Sequence, residues 1–215
     1  MALQELATGV WHLAGTPADA INVYVLEDVL IDAGTALDHG RISRQLSGVT
    51  IRAHALTHAH FDHYGSSHRL CEELEIPLWC GADDVQAVEA GKMVAKGGLM
   101  VPGARAHRVD RALADGDEVA GFTVLSTPGH SPGHVSYWRE SDRVLVCGDV
   151  MWGQNPFILS GRIREPFPML SPDARLNRES ARRLAALEPA LVCFGHGPPL
   201  RDTERFLAAV SRLPS

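Results

Sequence analysis

The sequence predicts an α+β chain in which two sheets pack together and carry helices on their outer faces. Three observations lead there. Short β-branched, apolar runs recur in both halves of the 215 residues. Segments of helical period lie between them. No low-complexity linker divides the chain, so residues 1–215 are expected to form one domain around one layered core.

The elements follow in order. Strands are expected over 8–33, with Ile21–Leu26 and Val29–Asp32 forming a hairpin about the acidic pair Glu27-Asp28. Asp32-Ala33-Gly34 ends the second strand. Leu37–Leu46 is a short helix, and Ile51–Thr57 a strand. Asp62 and His63 open the next helix, which buries Leu70, Cys71 and Leu74 and stops before Pro77. Gly65 in its first turn costs about 1 kcal/mol against Ala; close backbone packing is one reason to keep it, and tolerance the other. Ile76–Cys80 is a buried strand. Residues 82–106 are hard to read: Asp83–Val94 has helical character, then Gly97-Gly98 and Pro102-Gly103 break it, as in a surface insertion or a lid. Strands are expected at His107–Val109, Phe122–Ser126, Val135–Trp138 and Val144–Cys147. Residues 150–172 form a long loop. Ser171-Pro172-Asp173 starts a helix through a capping hydroxyl and a first-turn proline, and that helix runs to about Leu187. Leu191–Phe194 is the last strand, and Asp202–Leu213 an amphipathic helix.

Composition excludes some functions. The 45% apolar and 21% charged fractions are those of a globular domain, and the net charge of −6 argues against a nucleic-acid partner. No apolar run reaches about 18 residues, so no membrane span is expected. The first basic residue is Arg41, so the charged start of a secretory signal is missing. Cys71, Cys80, Cys147 and Cys193 share no CxxC spacing and read as buried free thiols of a reducing compartment, which makes the expected location cytoplasmic.

The chemistry concentrates in His58-Ala59-His60-Phe61-Asp62-His63. Four metal-binding side chains within six residues suit an ion that gathers lone pairs at about 2.0–2.2 Å. A histidine-rich polar loop is the bland alternative. It is weakened by the later candidates, each at the end of an expected strand: Pro128-Gly129-His130-Ser131-Pro132-Gly133-His134, Gly148-Asp149 and Gly195-His196-Gly197.

This series, His-x-His-x-Asp-His, Pro-Gly-His, Gly-Asp and Gly-His-Gly, resembles the motif set of metallo-β-lactamase-fold hydrolases, from Asp32-Ala33-Gly34 to Gly197. The resemblance implies an αββα sandwich of two mixed sheets holding two divalent metal ions. Zinc is the expected metal, with iron or manganese as alternatives. By motif matching, His58, His60 and His130 would hold one ion, Asp62, His63 and His196 the other, and Asp149 would bridge them. Asp32 would hold ligands by hydrogen bonding. His134 could replace His130 as a ligand, but motif matching assigns the first histidine of the turn and leaves His134 a supporting or structural role. The implied reaction uses a water shared by ions roughly 3.5–4 Å apart, its pKa lowered from about 15.7 towards 7. Asp62 is expected to orient the resulting hydroxide.

Departures from subgroup patterns narrow the substrate. True β-lactamases of this fold carry Cys or Ser where this chain has Asp149. Classical glyoxalase II enzymes add a helical C-terminal domain, whereas one short helix is expected after His196. Acyl-homoserine lactonases place Tyr three residues after the bridging Asp, where this chain has Trp152. The expected substrate is a small ester, thioester or lactone, with a hydroxyacyl-glutathione-like thioester slightly ahead. Trp152, Phe157, Arg162 and Arg164 of the long loop are candidates for the pocket wall, the arginines to pair with a substrate carboxylate. The alternatives are an iron-dependent persulfide dioxygenase, a phosphodiesterase or RNA-processing nuclease, and a metal-holding protein without catalysis. A homodimer is compatible with the sequence.

Overall fold

The computed structural model describes residues 3–159 and 161–215. The chain starts with four strands, β1 (Gln4–Ala7), β2 (Val10–Leu13), β3 (Val23–Leu26) and β4 (Val29–Ile31). Helix α1 (His39–Gln45), strand β5 (Ala53–Ala55), helices α2 (Phe61–Tyr64) and α3 (Ser67–Leu74), strand β6 (Leu78–Gly81) and helix α4 (Val85–Glu89) follow. A small hairpin, β7 (Lys92–Val94) and β8 (Met100–Pro102), precedes β9 (Arg111–Leu113) and β10 (Glu118–Val119). The second half holds β11 (Phe122–Ser126), β12 (Val135–Arg139), β13 (Val144–Gly148), α5 (Ala174–Ala185), β14 (Leu191–Phe194) and α6 (Thr203–Ser211).

Two mixed sheets result. One has the order β1-β2-β3-β4-β5-β6-β9, antiparallel up to β4 and parallel beyond it. The other has the order β10-β11-β12-β13-β14, with only β14 parallel to its neighbour. Side-chain alternation along the strands divides the interior into three apolar layers. Tyr24, Ile31, Val124, Tyr137, Val144 and Val146 meet between the sheets. Val25, Leu30 and Leu78 pack outward against Ile42, Leu70 and Val88 of the first helical layer. Leu145, Cys147 and Val192 pack outward against Ala181, Leu184 and Phe206 of the second. This is the expected αββα sandwich. The four cysteines are buried and free, and no helix among the described residues is long and apolar enough to cross a membrane.

Some boundaries differ from the sequence reading. Pairing begins at Gln4 rather than at residue 8. The helix expected from Asp62 to Leu74 is broken between α2 and α3 by Gly65-Ser66. Gly65 is there for close approach: a Cβ would lie 2.4 Å from the Thr35 carbonyl carbon and 2.5 Å from the Ala36 nitrogen. The helical character after Asp83 ends at Glu89, because the chain turns back through β7 and β8. The strand expected at His107–Val109 lies instead at β9, where Leu113 is buried between the sheets. Asp173, not Ser171, caps α5, its carboxylate accepting from the Leu176 N–H at 2.9 Å.

Candidate metal centre

The parallel strands aim their C-terminal ends at one edge of the sandwich, and the candidate donors sit there. Asp32 directly follows β4, His58–His63 follow β5, Asp149 follows β13 and His196 follows β14. His130 belongs to the turn between β11 and β12, which ends at the same edge. Open sheets commonly hold ligands at this position because the loops there diverge and leave a crevice.

The histidine and aspartate side chains of these segments converge. Donor atoms of His58, His60 and His130 lie within 4.8 Å of one another, as do those of His58, His63 and Asp149 and those of Asp62, His63 and His196. Asp149 Oδ2 is 3.1 Å from His196 Nε2, 3.4 Å from His130 Nε2 and 3.6 Å from His63 Nε2, so this one carboxylate reaches both ends of the cluster. His196 Nε2 is also 3.5 Å from Asp62 Oδ2.

The donors pass a direct test of fit to metal ions. Nε2 of His58, His60 and His130 and Oδ1 of Asp149 are buried without a hydrogen-bond partner. Buried polar atoms left unpaired are costly in a folded protein unless a ligand satisfies them. On four of the histidines the other ring nitrogen is engaged: His58 Nδ1 by Thr57 Oγ1, His63 Nδ1 by Asp32, His130 Nδ1 by Ser171 Oγ and His196 Nδ1 by the Ala20 carbonyl. Such partners fix each ring and leave Nε2 pointing into the centre. Burial, reinforced by neighbouring imidazoles, lowers His58 and His60 well below the ordinary histidine range, so both offer neutral lone pairs. Burial alone would raise Asp149, but His196 and His63 hold its carboxyl well below the usual carboxylate range. Burial alone would lower His63 and His196, but Asp149 raises both. Without metal the set therefore pairs an ionised carboxylate with two cationic imidazoles beside the neutral His58 and His60. A bound cation would replace those protons, and imidazole and carboxylate donors suit zinc, iron or manganese.

Around the donors lies a hydrogen-bonded shell. Asp32 accepts from the Thr57 N–H at 2.7 Å and the Thr57 hydroxyl at 2.8 Å, and its Oδ2 lies 2.9 Å from His63 Nδ1. His134 Nε2 accepts from the Asp149 N–H at 3.1 Å while its Nδ1 bonds Thr127 Oγ1 at 2.8 Å. Both His134 nitrogens are thus occupied, and burial depresses its pKa to about 3. Trp152, expected only in the pocket wall, donates its indole N–H to Asp149 Oδ2 at 2.8 Å. Gly195 leaves room for that carboxylate: a Cβ there would lie 2.1 Å from Asp149 Oδ1.

Asp84 is a residue that sequence reasoning missed. It is fully buried, and it accepts from the Ala59 N–H, the Ser131 hydroxyl and the Gly133 N–H at 2.9, 2.7 and 2.9 Å. The first donor lies between His58 and His60; the other two follow His130 in its turn. Its three donors lie 25, 47 and 49 residues away along the chain, so no local motif marks it.

The model of the metallo-β-lactamase superfamily matches residues 16–196. The chain belongs to that superfamily. It is 30% identical to the probable metallo-hydrolase YflN of Bacillus subtilis (strain 168), over 91% of this chain and 86% of that one. It is 31% identical to a hydroxyacylglutathione hydrolase of Methylobacterium nodulans, over 89% of this chain and 68% of its relative. A structure solved in a di-iron-bound form, 28% identical, superposes with a TM-score of 0.64 over 94% of this chain and 91% of that chain. The superfamily's metallo-hydrolases thus include relatives of this chain.

In this superfamily member a cavity of about 450 Å³ opens over the donors. Its floor includes His60, Asp62, His130, Asp149 and His196; Ile21, Met93, Val94, Trp152, Phe157 and Leu170 form much of its wall. The segment left undecided between insertion and lid therefore supplies wall, through β7. The two arginines do not take part. Arg162 faces a separate cleft beside Arg205 and Arg212. Arg164 donates to the Glu165 carbonyl, stacks 4.0 Å over the Phe167 ring and is absent from the cavity lining. No Lys or Arg lines the cavity among the described residues.

Proposed function

We propose that this chain hydrolyses small esters, thioesters or lactones with an apolar acyl group. The observation that carries the reading is the cavity: apolar walls, no cation among its described lining residues, and a floor of imidazole and carboxylate donors. A pocket of this kind gains affinity by removing apolar surface from water and uses its few polar groups for orientation and chemistry.

His58, His60 and His130 would hold one divalent ion, Asp62, His63 and His196 the other, with Asp149 reaching both. Zinc is the proposed metal, and iron or manganese would suit the same donors. When bound, the ions would supply Lewis acidity and make water acidic enough to attack at neutral pH. The protein's part is positional. Asp62 lies at the cavity floor and is proposed to orient the attacking water. Asp32 and His134 hold His63 and the Asp149 backbone, and Trp152 holds the Asp149 side chain. The apolar wall shields the acyl group from bulk water.

A hydroxyacyl-glutathione thioester, the substrate type in one relative's name, has a suitable scissile bond. Its tripeptide also carries carboxylates, which would find no Lys or Arg among the described residues of the wall. Simple apolar acyl thioesters and esters are therefore placed ahead of it. A second reading, iron-dependent oxidation of a persulfide, is kept because a related structure holds two irons.

Metal analysis of the purified protein, combined with acyl thioesters of graded chain length, hydroxyacyl-glutathione, lactones, a persulfide and a phosphodiester, tests the proposal. Preference for neutral apolar acyl substrates is expected. Turnover of the phosphodiester alone, or of the persulfide alone with iron bound, would overturn it.

A further inference from the structure

Away from the cavity, α3 and the loop before β9 bring a second set of donors together. His68 and Glu72 are one turn apart on α3, at the i and i+4 positions that share a helix face. His107 faces them from the loop, its Nδ1 3.1 Å from His68 Nδ1, and donor atoms of all three residues lie within 4.8 Å of one another.

We propose that His68, Glu72 and His107 form a further binding site for a divalent transition-metal ion of the zinc class, separate from the centre under the cavity. The spacing fits. Two imidazole nitrogens bound to one ion at about 2.0–2.1 Å in a tetrahedral arrangement stand roughly 3.3 Å apart, close to the 3.1 Å found here. The rings meet at 78°, so their lone pairs are not held in a parallel stack. Two imidazoles and a carboxylate match the donor preference of zinc, cobalt and nickel, with water left to complete the shell.

The surroundings favour a cation. The adjoining cleft, about 420 Å³, is lined by Glu72, Glu75, Asp110 and His107 with no Lys or Arg among its described residues. Asp110 is already paired with Arg108 at 2.9 Å, which leaves Glu72 and Glu75 to face a cation. A paired-histidine hydrogen bond is the simpler use of the 3.1 Å contact. It explains neither the carboxylate one turn along nor the acidic cleft.

The location gives the ion a mechanical consequence. His107 lies in the stretch that follows β8, and β7 of the same hairpin carries Met93 and Val94 in the cavity wall. An ion held here would clip that stretch to α3, which follows the helix carrying Asp62 and His63. Metal bound only by the folded chain adds its binding free energy to folding.

Equilibrium dialysis of the full chain against zinc, with metal measured per chain, decides the matter. Wild type is expected to retain one ion more than His107→Ala and Glu72→Gln at equal free zinc. Asp149→Asn, which disturbs the cavity centre, is expected to keep the ion at His68. Glu72 is exposed, so Glu72→Gln reports on binding without a folding defect. Zinc should also raise the melting temperature of Asp149→Asn, and the rise should disappear in Asp149→Asn combined with Glu72→Gln. Equal zinc content in wild type and both single variants would overturn the proposal. No arm measures hydrolysis, so the outcome is independent of which substrate the cavity takes.

Discussion

Asp84 accepts a 2.7 Å hydrogen bond from the Ser131 hydroxyl and so joins the turn of His130 to the segment of His58 and His60. The same carboxylate holds Ala59 and Gly133 by their backbone N–H groups. Three donors on two separate loops depend on one side chain. Asp84→Ala would leave them buried and unpaired, at about 1–3 kcal/mol for a group so stranded. Zinc affinity, measured by chelator competition, is expected to fall about 10- to 100-fold, the usual cost of removing a group that orients metal ligands. Asp84→Asn keeps an acceptor oxygen and should recover part of that loss. Unchanged affinity in Asp84→Ala would show that the loops hold themselves.

Trp152 offers a narrower test. Its indole N–H donates to Asp149 Oδ2, the oxygen nearest to three histidines. Trp152→Phe keeps an aromatic ring in the wall and deletes the donor. The expected result is a fall in kcat, with bound metal weakened about tenfold or more and KM for an apolar substrate little changed. A change confined to KM would assign Trp152 to the wall alone.

Asp62 is the proposed orienting acid. Asp62→Asn should cut kcat sharply, by about 10²-fold or more for a group acting on proton transfer. Metal content has to be read in the same sample, since Asp62 also stands among the proposed ligands. Near-wild-type turnover with metal retained would remove it from the chemistry.

The pattern of what could be read in the sequence is itself physical. His58–His63, His130, Asp149 and His196 stood out because metal donors must be dense or follow strand ends, and both conditions leave marks in order and spacing. The three apolar layers were legible for a similar reason: β-branched runs such as Val144–Cys147 alternate between two faces. Asp84 left no mark, being one acid in a stretch without period. The hairpin β7–β8 was hidden because neither strand alternates and both are only partly buried. Arg162 and Arg164 were placed in the pocket by charge alone, and charge does not tell which side of a long loop a residue faces.

Phe157 tests the substrate reading. It lines the cavity yet remains 69% exposed, so its removal should spare the fold. A half-covered Phe contributes about 1 kcal/mol to apolar binding. At that magnitude Phe157→Ala is expected to raise KM about fivefold for the longest acyl substrate and hardly at all for an acetyl one. Equal effects on both would argue against an acyl-chain contact.

The last prediction concerns pH and a histidine outside the metal centre. His54 is buried between β4 and α3, its Nδ1 donating to the Leu30 carbonyl at 3.1 Å and its Nε2 2.8 Å from the Ser67 hydroxyl. Both nitrogens are satisfied only in the neutral ring, and burial depresses its pKa to about 4 from the ordinary 6.5. Below pH 6.5 the unfolded chain binds this proton and the folded chain does not. Stability from His54 is therefore fully present above the unfolded value and is lost as pH falls from 6.5 towards 4, where the folded form protonates as well. One unit of difference is about 1.4 kcal/mol, so moving from about pH 7 to about pH 5 should cost roughly 2 kcal/mol through this residue. His134, whose pKa burial depresses to about 3, also resists protonation in the fold, which makes the comparison with His54→Gln essential. The variant is expected to be less stable at neutral pH but to lose less on acidification, read from urea midpoints at the two pH values in metal-free protein. Parallel losses in wild type and variant would mean that His54 is not the group taking up the proton.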